Sequence, residues 1–344
     1  MKIEVYSPTI RRKEMDAVLT ALVEDKIGPG DQARQLIAGA REYLQYDYSL
    51  ALRSPAIALQ LALESLGLED GQGVVISALS PRYYKRIIES LRLVPVYCDV
   101  IPSTCIMGLE TIEAALAGKP PELEVRCIVV HQTLGFVPDM PAITALGLPV
   151  IEDCSRSYGT LWGETRAGSF GTLTILGLEE RDMLTAGGGA LLYAVNRREA
   201  AVLRNLDPLP EFCLPDMNAA MAVVQFREAA KNLQKRKEIA RVYTQSALQT
   251  RHKRFAETEK TEYNHYAFPL VLETGVKEVK AYAKRKEIVV ESALEDTVVG
   301  CGGIPPAQCP ESYSLSLRTV LFPLYPRLGA SEIGKVVKLI VSLP

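Results

Sequence analysis

Two carboxylates follow an apolar run near the middle of the chain. Glu152 and Asp153 come directly after Val150 and Ile151, a β-branched pair typical of a buried strand. In an open parallel sheet, ligands bind beyond the carboxyl ends of the strands, so a carboxylate here could hold a protonated heterocyclic nitrogen. It could instead simply cap the helix that follows. The pattern alone favours capping and leaves the ligand interpretation open.

A histidine and a run of glycines stand at comparable places. His131 follows the apolar residues 127–130, where a lone histidine is more often structural than catalytic. The glycines at 187–189 precede the apolar residues 190–193, and they could let the backbone approach a ligand or merely form a tight turn. The sequence contains no dinucleotide-binding, Walker or nucleophile-elbow motif, and its three histidines form no metal-ligand pattern.

Apolar runs alternate with stretches of helical periodicity over the first two-thirds of the chain. Short apolar runs, most of them rich in β-branched residues, separated by amphipathic helices indicate a doubly wound α/β domain with a mostly parallel sheet. The apolar runs are residues 74–76, 94–97, 127–130, 150–151, 173–176 and 190–193, and the helical stretches include residues 57–66, 84–91 and 109–116.

A longer helical pattern, from Met217 to about Leu248, leads out of this domain. We therefore predict a large α/β domain over residues 1–235, beginning with an N-terminal arm over residues 1–30, and a small α+β domain over residues 236–344. Within the small domain the patterns predict a strand at 267–272, a helix at 276–286, a loop at 300–310 and a last helix from Ser331.

The composition is typical of a globular cytoplasmic protein. A formal net charge of -2 over 344 residues, without a basic stripe, argues against nucleic acid or a membrane surface as partner. No run approaches the roughly 18 apolar residues that would span a bilayer. Seven scattered cysteines without a C-x-x-C pair indicate reduced thiols. We expect a cytoplasmic protein that binds neither nucleic acid nor a membrane.

The specific signal is the order of short motifs along nearly the whole chain. These are, in order, Ile-Gly-Pro-Gly at 27–30, Ser54, Pro-Val-Tyr-Cys-Asp at 95–99, His131 with Gly135, Pro-Asp-Met at 138–140, Ile-Glu-Asp at 151–153, Gly-Ser-Phe-Gly at 168–171, the glycine run, and Phe-Pro-Leu-Tyr-Pro at 322–326. The series resembles the DegT/StrS-type family of nucleotide-sugar aminotransferases, which have the pyridoxal-phosphate (PLP) transferase fold type I.

The resemblance implies a homodimer with active sites at the subunit interface, PLP in the large domain and a keto-sugar nucleotide as substrate. It also implies a lysine that forms a Schiff base with PLP. Arg181 or Asp182 corresponds to that lysine, and neither side chain can form the imine. Residues 120–230 contain no lysine, and no histidine lies between His131 and His252 to serve in its place.

The residues that the resemblance assigns to the cofactor phosphate are altered as well. After Ser54, Pro55 lacks an N–H donor and Ala56 lacks a hydroxyl. Gly177 replaces a serine, and Glu211 replaces an asparagine that would reach across the dimer. The vestigial cofactor-binding set comprises Asp153, the partner of the ring nitrogen, together with His131, Ser54, Ala56, Gly177 and Arg156, which replaces a glutamine.

We therefore expect no cofactor and no ordinary transamination, and three functions remain open. The chain could be a pseudoenzyme that forms a homodimer, pairs with an active aminotransferase, or acts as a scaffold or sensor. It could instead perform lysine-free chemistry on a charged ligand. Alternatively, PLP binds through a lysine from elsewhere, such as Lys85 or Lys231, and the chain is a PLP-dependent aminotransferase of a nucleotide-linked keto sugar.

Three arginines could give the cleft affinity for a small anion. Arg82, Arg156 and Arg181 fall in segments that the family fold brings together, and a guanidinium can bind a carboxylate or phosphate in bidentate fashion. If two or more of them converge, we expect an anionic ligand there. Otherwise they should form salt bridges with nearby acids, which are Glu152, Glu179, Glu180 and Asp182.

Overall fold

The computed structural model describes residues 2–273 and 275–343. Its helices are α1 (Arg12–Val23), α2 (Asp31–Leu44), α3 (Pro55–Ser65), α4 (Tyr83–Ser90), α5 (Leu109–Gly118), α6 (Met140–Thr144), α7 (Arg197–Arg204), α8 (Asp216–Ala247), α9 (Val276–Arg285), α10 (Pro310–Arg318) and α11 (Ala330–Val341). Its strands are β1 (Tyr48–Leu52), β2 (Gly73–Ser77), β3 (Val94–Cys98), β4 (Val125–His131), β5 (Val150–Asp153), β6 (Leu161–Trp162), β7 (Thr165–Arg166), β8 (Leu173–Gly177), β9 (Ala190–Ala194), β10 (Thr261–Glu262), β11 (Phe268–Val271), β12 (Glu291–Ser292) and β13 (Thr319–Phe322).

Within the described residues the main sheet has seven strands, in the order β1-β9-β8-β5-β4-β2-β3. Five strands that are adjacent in this order, β8, β5, β4, β2 and β3, are parallel to one another. Strand β9 runs antiparallel to both of its neighbours. All six apolar runs that were predicted as strands lie in this sheet. The predicted α/β class with a mostly parallel sheet is confirmed.

The sheet is covered by helices on both faces, and this explains why its central strands read as continuous apolar runs. In β2, Val74 and Ile76 point into the core beneath α3 and α4, while Val75 points into the opposite core, which is shared with α2, α5 and α8. Every residue of β2, β5, β8 and β9 is buried. We call this sheet and its helices the large lobe.

A second, smaller body, which we call the small lobe, is built on the antiparallel sheet β11-β13-β12. Its core contains Ile239 and Tyr243 from the second half of α8, together with residues of α9 and α11. The predicted boundary at residue 235 falls inside α8, which continues without interruption from one lobe to the other. The division into two domains stays a prediction.

Two details of the small lobe differ from the sequence patterns. The start of the N-terminal arm joins this lobe, because the Ile3 N–H donates to the Glu287 carbonyl and the Val289 N–H donates to the Ile3 carbonyl. The loop predicted at 300–310 ends where α10 begins, with Pro310 in the first turn, where the missing N–H costs nothing. No helix in the described ranges is long and apolar enough to cross a membrane.

Candidate functional site

Asp153 lies at the carboxyl end of β5, beside His131 at the end of β4, because these strands pair in parallel with the two residues opposite each other. Its Oδ2 atom accepts hydrogen bonds from the Tyr84 hydroxyl and from His131 Nδ1, the latter at 3.2 Å. Its Oδ1 atom accepts from the Ser155 hydroxyl and from the Ser155 N–H, the latter at 3.0 Å. Both carboxylate oxygens therefore already have two donors each.

The charge of this buried group follows from these contacts. Burial alone would raise the pKa of Asp153, but the hydrogen bonds from His131, Ser155 and Tyr84 outweigh it and lower the pKa to about 2. Burial lowers the pKa of His131, so the imidazole is neutral and donates from Nδ1 to the ionised carboxylate. Among the described residues, His131 Nε2 has no hydrogen-bond partner.

Gly177, at the end of β8, is packed closely against an acid. A Cβ atom on Gly177 would collide with Asp182 Oδ2 and would lie 2.8 Å from Ser155 Oγ. Asp182 Oδ2 accepts a hydrogen bond of 2.9 Å from the Glu179 N–H. Burial raises the pKa of Asp182 to about 7. The position next to Gly177 is thus filled by a carboxylate of the chain itself.

Glu152, the neighbour of Asp153, has a structural role. Its carboxylate accepts hydrogen bonds from the N–H groups of Gly168, Phe170 and Gly171 at 2.6, 2.9 and 3.0 Å. The Gln132 side chain donates a fourth, at 2.7 Å. Glu152 therefore fixes the Gly-Ser-Phe-Gly loop and is not available to pair with an arginine.

Ser54 and its neighbours form the first turn of α3. The Ser54 hydroxyl accepts a hydrogen bond of 3.2 Å from the Ile57 N–H, so it caps the helix. Pro55 is the first helical residue, and Ala56 is half-buried. Glu211 is exposed, in a turn that lies beside β1.

Two of the three arginines line the same cleft. Arg156 and Arg181 face a space of about 450 Å³ between the lobes. The Arg156 guanidinium lies over the Tyr266 ring, 5.5 Å from its centroid. Arg181 instead forms a bidentate pair with Glu291 of β12, with N–O distances of 2.7 and 3.4 Å. Arg181 thus pairs across the lobes, and not with Glu179, Glu180 or Asp182 beside it in sequence.

Arg82 lies outside this cleft. It precedes α4, is exposed, and lines a separate hollow together with Lys85 and Arg86. The reason is local: Tyr84, two residues further along, takes the inward direction toward Asp153. The expected convergence of three arginines is therefore reduced to two.

Four residues of the site were not anticipated: Tyr84, Asn264, Tyr266 and Lys280. None of these four residues belongs to a recognisable motif, and only tertiary packing brings them together. Tyr266 and Lys280 line the cleft, whereas Asn264 lies behind Arg156 and bonds to its carbonyl. Lys280 is the lysine that lines the cleft, and its ammonium group donates to Ser292 Oγ at 2.7 Å and lies 3.5 Å from Glu295. Lys85 donates to the Gly303 carbonyl in the other hollow, and Lys231 is exposed on α8.

Known proteins resemble this chain in sequence. Residues 8–207 and 211–341 match the DegT/DnrJ/EryC1/StrS aminotransferase family. An L-glutamine:2-deoxy-scyllo-inosose aminotransferase of Streptomyces lividus is 31% identical over 186 residues, which are 53% of this chain and 42% of the relative. Its counterpart in Streptomyces fradiae is 27% identical over 210 residues, which are 59% of this chain and 48% of the relative. The matched region thus spans less than half the length of these relatives.

Solved structures resemble the chain over almost its full length. The PLP form of a candidate sugar aminotransferase from Streptococcus pneumoniae superposes with a TM-score of 0.89 at 18% identity, covering 99% of this chain and 98% of the other. An aminotransferase from Streptoalloteichus hindustanus superposes with a TM-score of 0.88 at 19% identity, with the same coverage of both chains. The predicted PLP-transferase fold is confirmed. With the family match over most of its residues, the chain belongs to the DegT/DnrJ/EryC1/StrS aminotransferase family.

Proposed function

We propose that this chain is a cofactor-free member of the family, which binds a small molecule of the sugar or cyclitol class between its lobes and does not transaminate it. The observation that carries the proposal is the saturated carboxylate of Asp153. The family resemblance assigns this residue to the ring nitrogen of PLP. Here Tyr84, His131 and Ser155 already supply donors to both of its oxygens.

The other described residues that the family resemblance assigns to PLP also fit it poorly. The Ser54 hydroxyl is used to cap α3, and Pro55 offers no N–H to a phosphate. The Asp182 side chain fills the space against Gly177, a position that the family resemblance assigns to the phosphate. Arg181, one of the two residues that align with the Schiff-base lysine, is held by Glu291. These contacts together support a cleft that works without the cofactor.

A second candidate function is PLP-dependent amino transfer that uses Lys280. The observation in its favour is that this lysine lines the cleft with Arg156 and Arg181 although it lies in the small lobe. Against it, the Lys280 ammonium is already bonded to Ser292 and lies close to Glu295. Lys280 replaces Lys85 and Lys231 as the lysine that this alternative requires.

Incubation with PLP, borohydride reduction and peptide mass spectrometry test the proposal. We expect no stoichiometric pyridoxyl adduct on any lysine, and the same result for Lys280→Arg, which keeps the charge and removes the reactive amine. A stoichiometric adduct on Lys280 that disappears in Lys280→Arg would establish the second candidate. An adduct on any other single lysine would also overturn the cofactor-free assignment.

We also propose that the chain works as a dimer, either with itself or with an active aminotransferase. Helix α1 carries four exposed apolar side chains, and apolar groups in a contiguous exposed patch favour association. They are Met15, Leu19, Leu22 and Val23. Light scattering of the purified chain should show a particle of twice 37.8 kDa or, if the partner is a second protein, a dimer only after that protein is added.

A further inference from the structure

We infer that Arg156 is the group that binds the anionic part of the ligand, a phosphate or a carboxylate. This inference rests on the proposed function. The other two cations of the cleft are already bound, Arg181 by Glu291 and Lys280 by Ser292. Within the described part of the chain, the Arg156 guanidinium forms no salt bridge and no hydrogen bond, and it lies over the face of the Tyr266 ring. Its fork of N–H donors is therefore free to bind an oxyanion.

The electrostatic setting keeps Arg156 charged and leaves its donors unused. Burial alone would lower the pKa of Arg156, but the nearby Tyr266, Asp182 and Asp153 outweigh it and raise the pKa. These groups act at a distance, since none of them accepts a hydrogen bond from the guanidinium in the described chain. An arginine held in this way gains most from a ligand that supplies oxygen acceptors directly.

One side chain sets the positions of both Arg156 and Tyr266. Asn264 is buried, and its Nδ2 donates to the Arg156 carbonyl at 2.7 Å and to the Tyr158 carbonyl at 3.0 Å. Its Oδ1 accepts from the Tyr266 N–H at 2.9 Å. A single amide thus ties the segment after β5 to the segment before β11. Asn264 is a positioning residue, because it acts on the ligand site only through Arg156 and Tyr266.

The junction around Asn264 is close-packed and leaves little room for adjustment. Gly135 has a φ of +88°, and a Cβ there would lie 2.9 Å from Asn264 Oδ1, 3.0 Å from the Arg156 carbonyl and 3.0 Å from Tyr266 Cβ. Leu134 and His265 also adopt left-handed conformations, with φ of 54° and 52°. Such backbone conformations persist only where the surroundings enforce them, so the backbone segment that carries Arg156 is held in place.

A second part of the cleft wall defines the rest of the ligand. Glu295 and Asp296 are exposed there, and carboxylates accept hydrogen bonds from hydroxyl groups. A body with several hydroxyls would bond to this wall while its anionic group meets Arg156. The ligand class is therefore a hydroxyl-rich molecule that bears one phosphate or carboxylate.

Calorimetric titration with three probes tests the role of Arg156: glucose 1-phosphate, glucuronate and uncharged glucose. We expect at least one of the two anions to bind, glucose to bind at least tenfold more weakly, and Arg156→Met to lose about tenfold or more in affinity for the anion. Arg82→Met, an arginine outside the cleft, should bind as the wild type does. The stronger anion identifies the group as a phosphate or a carboxylate.

Asn264→Ala tests the positioning role against Asn232→Ala, which alters another buried asparagine, on α8. Both variants should lose stability, but only Asn264→Ala should lose severalfold in affinity for the anion. Equal affinity in the two variants would overturn the positioning role. The Arg156 inference fails if neither anion binds, if Arg156→Met binds as tightly as Arg82→Met, or if glucose binds as tightly as the anions. If glucose binds as tightly as the anions, the proposed binding of a ligand between the lobes still stands although the role of Arg156 does not. A pyridoxyl adduct, by contrast, would overturn the cofactor-free assignment without bearing on Arg156.

Discussion

The Tyr84 hydroxyl on α4 donates a hydrogen bond to the Asp153 carboxylate at the end of β5. The two residues are 69 positions apart and both are buried. The contact brings a phenol of the chain to the oxygen that also binds His131. The carboxylate is therefore satisfied by the protein itself, which supports the proposal of a cofactor-free site.

Tyr84→Phe should destabilise the protein by about 1.5–3 kcal/mol, because it removes a donor from a buried ionised carboxylate. Urea unfolding measures the loss. Tyr83→Phe is the matched control, since the Tyr83 hydroxyl makes no hydrogen bond to Asp153 in the structure. Equal effects of the two substitutions would show that the Tyr84–Asp153 bond contributes little.

Gly177→Ala should destabilise the protein by about 1–3 kcal/mol, because the added methyl group collides with Asp182. Asp182→Ala should relieve most of this cost when the two changes are combined. A double-mutant cycle measures the coupling between them. Additive effects would mean that the backbone, and not Asp182, makes glycine necessary at this position.

The pH dependence of stability should report Asp182. Its pKa is about 7 in the folded state, above its ordinary value of 3.8, so the folded protein holds this proton more tightly than the unfolded chain. The resulting stability is complete below about pH 4 and is lost as the pH rises to about 7. The free energy of unfolding should fall between about pH 5 and about pH 8, and it should fall less for Asp182→Asn than for the wild type. The same fall in both proteins would contradict the shifted pKa.

The ion pair between Arg181 and Glu291 should contribute about 1 kcal/mol or less to stability, because both side chains are partly exposed. A double-mutant cycle with Arg181→Met and Glu291→Gln measures this coupling, and it should weaken in high salt. A coupling of several kcal/mol would show that the pair holds the lobes together.

Much of the large lobe could be predicted from the sequence. Six of the seven described strands of the main sheet appear in the sequence as short apolar runs, because the central strands are buried on both faces. The ends of α8 lie within one residue of the predicted pattern. The sequence placed His131 and Asp153 at strand ends, but only the parallel pairing of β4 with β5 brings them side by side. Helix α10 was missed, since Gly and Pro before it made the segment read as a loop.

The sequence by itself determined that residues 120–230 offer no lysine amine, because folding cannot supply a side chain that is not encoded. Tertiary structure alone decided which groups meet. Only packing places Tyr84 on Asp153, turns Arg82 away from the cleft, and pairs Arg181 with Glu291. These contacts join residues far apart in the chain, and hydrophobic periodicity describes local structure without specifying how two lobes dock.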